Sequence, residues 1–319
     1  MSKIVILSLL IACFQGFTTY GQSVVKDSTP EGKSTIDLDL SYGSNYSVYG
    51  IFSGFTSEPN TSPSIYYSGK NGLSLSALGF ITGNSNAAAA SKNSSEIDLT
   101  GGWDFNLLKN SLTISPSYSH FIYSAGAATA KSIYSDQAEI DLSGTFKWLR
   151  PSLTADYLFG SKKAVNLNFT LGFNFKINNL FAEGNTLEFE PSFGTNYGDL
   201  SYSDMIAARM FQILTPLRTT YGDNITIQQL ETNGAFANKK QVSKQLSILN
   251  PSATLGQIFS AARPYQVNSI DLSLPLAYKV KNLTISSGLN ISKPMNVPVY
   301  INGKTVVFFT AGLNYSFEL

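Results

Sequence analysis

Val165-Asn-Leu167-Asn-Phe169-Thr-Leu171-Gly-Phe173-Asn-Phe175 decides the fold. Apolar groups fall on every odd position and small or polar groups on every even one, so an extended chain shows two chemically different faces. The same period recurs in Ile36-Asp-Leu38-Asp-Leu40-Ser-Tyr42, Ile97-Asp-Leu99-Thr-Gly101-Gly-Trp103-Asp-Phe105 and Ile140-Asp-Leu142-Ser-Gly144-Thr-Phe146-Lys-Trp148. It returns in Ile270-Asp-Leu272-Ser-Leu274 and in the closing run Val307 to Leu319. Strands of soluble proteins average about 5–6 residues. Runs of this length with one continuous apolar face suit a tilted crossing of a bilayer.

Working outward from these runs, the sequence predicts twelve strands near 34–43, 47–68 (interrupted by the Pro59 region), 71–82, 94–107, 110–123, 136–148, 151–160, 164–177, 185–196, 268–280, 282–292 and 304–319. Short connectors (68–71, 108–110, 149–150, 178–184, 281–282) alternate with longer ones (83–93, 124–137, 197–267, 293–303), apart from the short 160–163 on the long side. That rhythm predicts a closed antiparallel transmembrane β-barrel, all-β, with both termini on the short-turn side and the long loops outside.

Composition agrees. Only 13% of the 319 residues are charged, about half the usual share, and 13% are aromatic. Disorder calls for more charge and fewer aromatics. The 22 basic and 21 acidic residues give a net charge of +1, without the basic excess of a nucleic-acid binder. The mean hydropathy is +0.01, and the body of the chain has no run long enough for a helical span. At the start, Met1-Ser-Lys3 and the apolar Ile4 to Cys13, followed by Thr19-Tyr20-Gly21, predict a cleaved signal peptide over 1–21. A polar linker then covers 22–33, ahead of the barrel at 34–319. Leu10-Ile11-Ala12-Cys13 also fits a lipoprotein cleavage box, which would make Cys13 a lipidation site. Otherwise the only Cys departs with the signal and leaves no thiol chemistry.

Residues out of phase with the apolar face point into the lumen. They include Asp37, Asp39, Glu96, Asp98, Asp104, Glu139, Asp141, Asp156, Glu188, Glu190, Asp271 and Glu318, against Lys147, Lys176 and Lys279. Such an excess attracts cations; a polar interior is also what any lipid-facing barrel needs. The excursion 197–267 is slightly basic through Arg209, Arg218, Lys239, Lys240, Lys244 and Arg263, which are candidates to meet the lumen acids as a plug or lid. Ser203-Asp204 predicts an N-capped helix over 205–214, stopped before Pro216, with a second helix over 238–249. The single histidine, His120, shares a face with Tyr118 and Ile122 and belongs near the outer aromatic girdle. Nothing in the sequence predicts a catalytic site, a cofactor or a metal centre.

Glu190-Pro-Ser-Phe-Gly-Thr-Asn196, Ile270-Asp-Leu-Ser-Leu-Pro-Leu-Ala-Tyr278 and Phe308-Phe-Thr-Ala-Gly-Leu-Asn-Tyr-Ser-Phe317 resemble the closing segments of uncharacterised outer-membrane β-barrel proteins of the Bacteroidota. Thr19-Tyr-Gly-Gln22 is similar to signals of that group. The resemblance implies a fold and a location, and no activity. The alternating aromatic C-terminus resembles the signal read by the barrel-assembly machinery. The resulting expectation is a non-enzymatic outer-membrane protein, in contact with outer-membrane lipid and not with nucleic acid. It gives porin-like passage to, or binds, small cation-preferring solutes. The competing expectation is a non-conducting barrel whose loops bind an external partner or which scaffolds the envelope. Oligomeric state is not written in the sequence.

Overall fold

A computed structural model describes residues 33–44, 47–48, 51–52, 60–83, 93–108, 110–123, 134–199, 214–235, 249–259, 265–297 and 304–319. The expected signal peptide and all but the last residue of the expected linker lie outside them.

Twelve strands form the wall: β1 (Thr35–Gly43), β2 (Asn60–Ser68), β3 (Leu73–Gly83), β4 (Asn93–Trp103, continued by Phe105–Leu107), β5 (Leu112–Tyr123) and β6 (Tyr134–Gly144). They continue as β7 (Leu149–Gly160), β8 (Ala164–Phe173, continued by Phe175–Asn178), β9 (Asn185–Phe189 with Ser192–Gly198), β10 (Gln266–Val280), β11 (Leu283–Pro294) and β12 (Val306–Glu318). Each pairs antiparallel with its neighbours in sequence, and β12 closes the ring on β1 through rungs such as Thr35↔Glu318 and Leu40↔Leu313. Closure leaves no strand edge with unsatisfied backbone groups.

The alternation sorts the side chains as the sequence predicts. Ile65, Leu38 and Tyr315 stand in one outward row, while the adjoining row of Ser64, Asp39 and Asn314 faces in. Outward residues stay exposed all round the ring, among them Leu40, Leu75, Leu99, Ile140, Phe169, Phe193 and Leu313. The buried positions of the wall are mainly polar, including Glu96, Asp98, Gln137, Asp156, Asn166, Asn196 and Ser269. This is the reverse of a water-soluble protein, where buried charge is rare and large apolar patches are covered.

The strand expected over 47–68 with an interruption at the Pro59 region joins the wall beyond that point as Asn60–Ser68; among the described residues before it, Ser47–Val48 and Ile51–Phe52 make a separate two-rung hairpin. β6 stops at Gly144 instead of reaching Trp148, because Phe146 and Leu149 exchange backbone hydrogen bonds and close a tight turn. Lys147 sits in that turn with φ 55°, exposed and off the lumen wall. β8 and β9 are interrupted together: Asn174 and Glu190-Pro191 leave the ladder, and the Asn174 amide donates to the Glu190 carboxylate.

The excursion between β9 and β10 leaves their direct pairing intact, from Ser192↔Ser273 to Gly198↔Gln266. It contains helical residues 214–221, α1 (Ile227–Thr232) and α2 (Leu255–Phe259). The helical stretch includes Pro216, so the helix does not stop before that proline; residues 205–213 and 238–248 lie outside the described residues. Of the fourteen buried apolar residues among the described residues, seven, Leu214, Ile227, Leu230, Leu249, Ala253, Leu255 and Ile258, belong to this segment.

α1 and α2 are built alike. Thr226 caps Gln229 and Thr254 caps Gln257, each glutamine returning to the amide of its threonine. The first-turn amides of each helix also bond the segment leading into the other: Ile227 to Ala253, Gln228 to Pro251, Leu255 to Ile225 and Gly256 to Asp223. Such reciprocal capping satisfies the orphan amides at both helix starts.

Candidate functional site

Strands β4 to β8 place six carboxylates on one inner arc. Glu96 stands opposite Tyr123 and Asp98 opposite Phe121; Asp156 stands between Glu139 and Asn166; Asp141 stands between Ser115 and Thr154. Asp104 leaves the ladder between the two pieces of β4 and takes the Ser115 hydroxyl at 2.7 Å. All lie on the inward phase of their strands, so the same alternation that makes the wall makes the arc.

Among the described residues, neutral donors take part in holding this arc. Gln137 Nε2 donates to Asp156 Oδ1 at 2.6 Å and to Glu139 Oε2 at 2.9 Å; Asn166 Nδ2 donates to Asp156 Oδ2 at 3.2 Å. Thr154 donates to Asp141 at 2.7 Å. Amides and hydroxyls satisfy a carboxylate without cancelling its charge. The deepest groups are near its long-loop end, where Glu96 and Asn166 have no exposed surface and Asp156 is 3% exposed.

The remaining acids are spread around the ring. Asp271 accepts from Ser269 at 2.7 Å, and Asp37 and Asp39 line β1 half-buried. Cations reach carboxylates at the short-turn end, where Lys176 bonds Glu188 at 2.8 Å and Lys33 bonds the exposed Glu318 at 2.5 Å. The acidic set is thus a continuous arc on β4–β8 plus separate positions, rather than one converging pocket. Among the described residues no group of three or more His, Cys, Asp or Glu gathers as a metal shell.

Of the basic residues of the excursion, Arg218 is described; Arg209, Lys239, Lys240, Lys244 and Arg263 lie outside the described residues. Arg218 forms a two-pronged pair with Asp223 of the same segment, and its guanidinium lies 4.8 Å from the Phe259 ring centre. It is a brace within the excursion and not a partner of a lumen acid. The Arg218 hydrogen bonds hold the Asp223 carboxyl below the usual carboxylate range.

His120 lies on the outer face near the long-loop rim, as its phase predicts. Its Nδ1 is 2.8 Å from Asp136 Oδ1, and Tyr118 and Ser135 donate to the same carboxylate. Asp136 is the member that the sequence reading passes over: it shares the outward phase of Ile140, but the expected strand began at that residue. No hydroxyl is bonded to the imidazole among the described residues, so the group lacks an activated nucleophile.

No protein-family model matches the chain. No curated protein matches it either. Among solved structures the chain is similar to the KdgM porin, with 10% identity, 89% of this chain and 99% of that chain covered and a TM-score of 0.45. It is similar also to the NanC porin, at 9% identity, 87% and 98% coverage and a TM-score of 0.44. The third is LpxR from Salmonella typhimurium, at 10% identity, 88% and 99% coverage and a TM-score of 0.44.

Proposed function

We propose that this barrel spans the outer membrane and gives narrow, cation-preferring passage to small solutes. The carrying observation is the inner arc of Asp98, Asp104, Glu139, Asp141 and Asp156 with Glu96, several of them held by neutral amides and hydroxyls, inside a wall whose outer face is apolar. Twelve strands lie between the small barrels filled by side chains and the 16–18-stranded porins with open water channels. A constriction lined by carboxylates in such a lumen favours cations and repels anions. The C-terminal strand, ending Tyr315-Ser-Phe317-Glu-Leu319, supports recognition by the barrel-assembly machinery, and the three sequence segments noted above support a Bacteroidota source. The test is a planar-bilayer recording across a NaCl gradient. A reversal potential of cation-selective sign is expected, moving toward zero in a Glu96→Gln/Asp98→Asn/Asp156→Asn variant. An anion-selective sign would overturn the reading.

One observation favours a second reading, a sealed barrel that presents its loops to an external partner. Glu96, Asn166, Asn196 and Ser269 are all completely buried toward the long-loop end. A barrel that inserts and gives no steps of conductance would establish that reading over the first.

A further inference from the structure

We propose that the outward rim formed by His120, Tyr118, Asp136 and the turn at Lys162-Lys163 binds the phosphate of a membrane-lipid headgroup. The inference rests on the reading that the apolar outer face meets lipid. On the long-loop side every other connection between wall strands is at least 9 residues long, but β7 returns into β8 through residues 161–163 alone. The exposed ammonium groups of Lys162 and Lys163 are therefore kept at the edge of the apolar face. Gly160, where that turn begins, pairs with Tyr134, Phe159 pairs with Asp136, and Asp136 pairs with His120. With strands about 4.8 Å apart, the imidazole stands roughly 10 Å across from the strand that bears the lysines.

Aromatic rings fill the space between. Phe159 lies 6.4 Å from Tyr118 and 5.6 Å from Tyr157, ring centre to ring centre. Tyrosines at this level are the usual membrane-interface belt. Asp136 takes three hydrogen bonds, from Tyr118, Ser135 and His120 Nδ1, and so fixes the imidazole plane. The ring's other nitrogen, Nε2, is on the far side, on a side chain that is half exposed. With Nδ1 held at Asp136, the ring presents Nε2 outward. Asp199, on the other flank, turns its carboxylate to the Val165 amide at 2.7 Å. A phosphate at this rim meets one fixed imidazole nitrogen and the exposed Lys162 and Lys163 ammonium groups, while its acyl chains lie along Leu153, Tyr157 and Leu167 below. The adjoining apolar surface selects a lipid phosphate over a free one.

The test uses the full chain purified in zwitterionic micelles, with native mass spectrometry to count retained lipid. The probes are phosphatidic acid and phosphatidylcholine of the same acyl chains, with inorganic phosphate as competitor. Phosphatidic acid should be retained about tenfold over phosphatidylcholine. A His120→Ala/Lys162→Gln/Lys163→Gln variant should bring the ratio to about one while keeping the heat-modifiable gel shift of a folded barrel. Lys162→Gln/Lys163→Gln alone, confined to an exposed turn, should cut the ratio at least threefold and covers the case in which the triple variant does not fold. Equal ratios in wild type and variants, or displacement by inorganic phosphate, would overturn the proposal. Failure of the wild type to insert into liposomes would overturn the membrane reading and this inference with it; insertion without phosphate preference overturns the inference alone.

Discussion

Asp156 is the residue on which the inner arc turns, because two strands spend a buried amide on it: Gln137 from β6 and Asn166 from β8. Removing the acceptor takes a bond from each of two buried amides, leaving Gln137 its bond to Glu139, and losing a buried acceptor costs more than the bond itself contributes. Asp156→Ala should therefore destabilise the folded barrel by roughly 1–3 kcal/mol, read as a lower urea midpoint of the heat-modifiable gel band. Asp39→Ala, half-buried on the opposite wall, should move the midpoint less. A second residue-level prediction concerns Asp223, held below its ordinary range by Arg218. A depressed carboxyl contributes stability above its unfolded value, near 3.8, and loses it as pH falls through the folded value. Proteolysis of the excursion should accordingly be slower in wild type than in Asp223→Asn at pH 7, with the difference shrinking as pH falls below the ordinary carboxylate value. The inward acids were legible from strand phase alone. Their partners were not, because Asp156, Gln137 and Asn166 come from three strands, and only register sets which inward groups meet.

At the scale of elements, strand period was enough to find all twelve wall strands, since two-faced burial imposes period two on every one of them. The errors fall where another local interaction ends a strand within an unbroken alternation, as with the Phe146–Leu149 turn beyond Gly144. The sequence reading passes over α1 and α2 for a different reason, while the helices it expects over 205–214 and 238–249 fall almost wholly outside the described residues. α1 and α2 are 6 and 5 residues long, too short to show a clear helical period, and each depends on the segment before the other for its first amides. The legible signal was the pair Thr226-Ile-Gln-Gln229 and Thr254-Leu-Gly-Gln257, a capping pattern repeated within one loop. Thr226→Ala should cost about 1 kcal/mol, and hydrogen exchange at the Leu255 and Gly256 amides should quicken along with that of α1, because the two starts are bonded to one another. Independent helices would leave α2 unchanged. For the wall, Leu40 lies mid-strand, outward and exposed, opposite Leu313. Leu40→Arg should cost about 2–4 kcal/mol in a bilayer, measured by urea unfolding from liposomes, and little in a barrel whose outer face meets water.

For the molecule as a whole, the question is whether the excursion governs the lumen. Its placement in the chain makes a clean experiment possible: β9 and β10 pair directly from Ser192↔Ser273 to Gly198↔Gln266, so the ring does not depend on the residues between. The strand ends are fastened to one another by the Asp199 carboxylate on the Val165 amide, the Asn268 amide on the Gly198 carbonyl and Tyr197 against Tyr265. Within the segment Arg218 pairs with Asp223. An excursion inserted between strands that pair directly can be removed without unfolding its host. Deleting residues 200–262 should therefore leave a heat-modifiable barrel with the urea midpoint of the full chain. If the segment is a plug or lid over the acidic lumen, conductance rises on deletion while cation preference stays, because the arc on β4–β8 is untouched. If conductance is unchanged, the segment is no plug, and its function lies with whatever meets the long-loop side. Loss of cation preference on deletion would be the most informative result, since it would move the source of selectivity from the wall to the segment that the deletion removes.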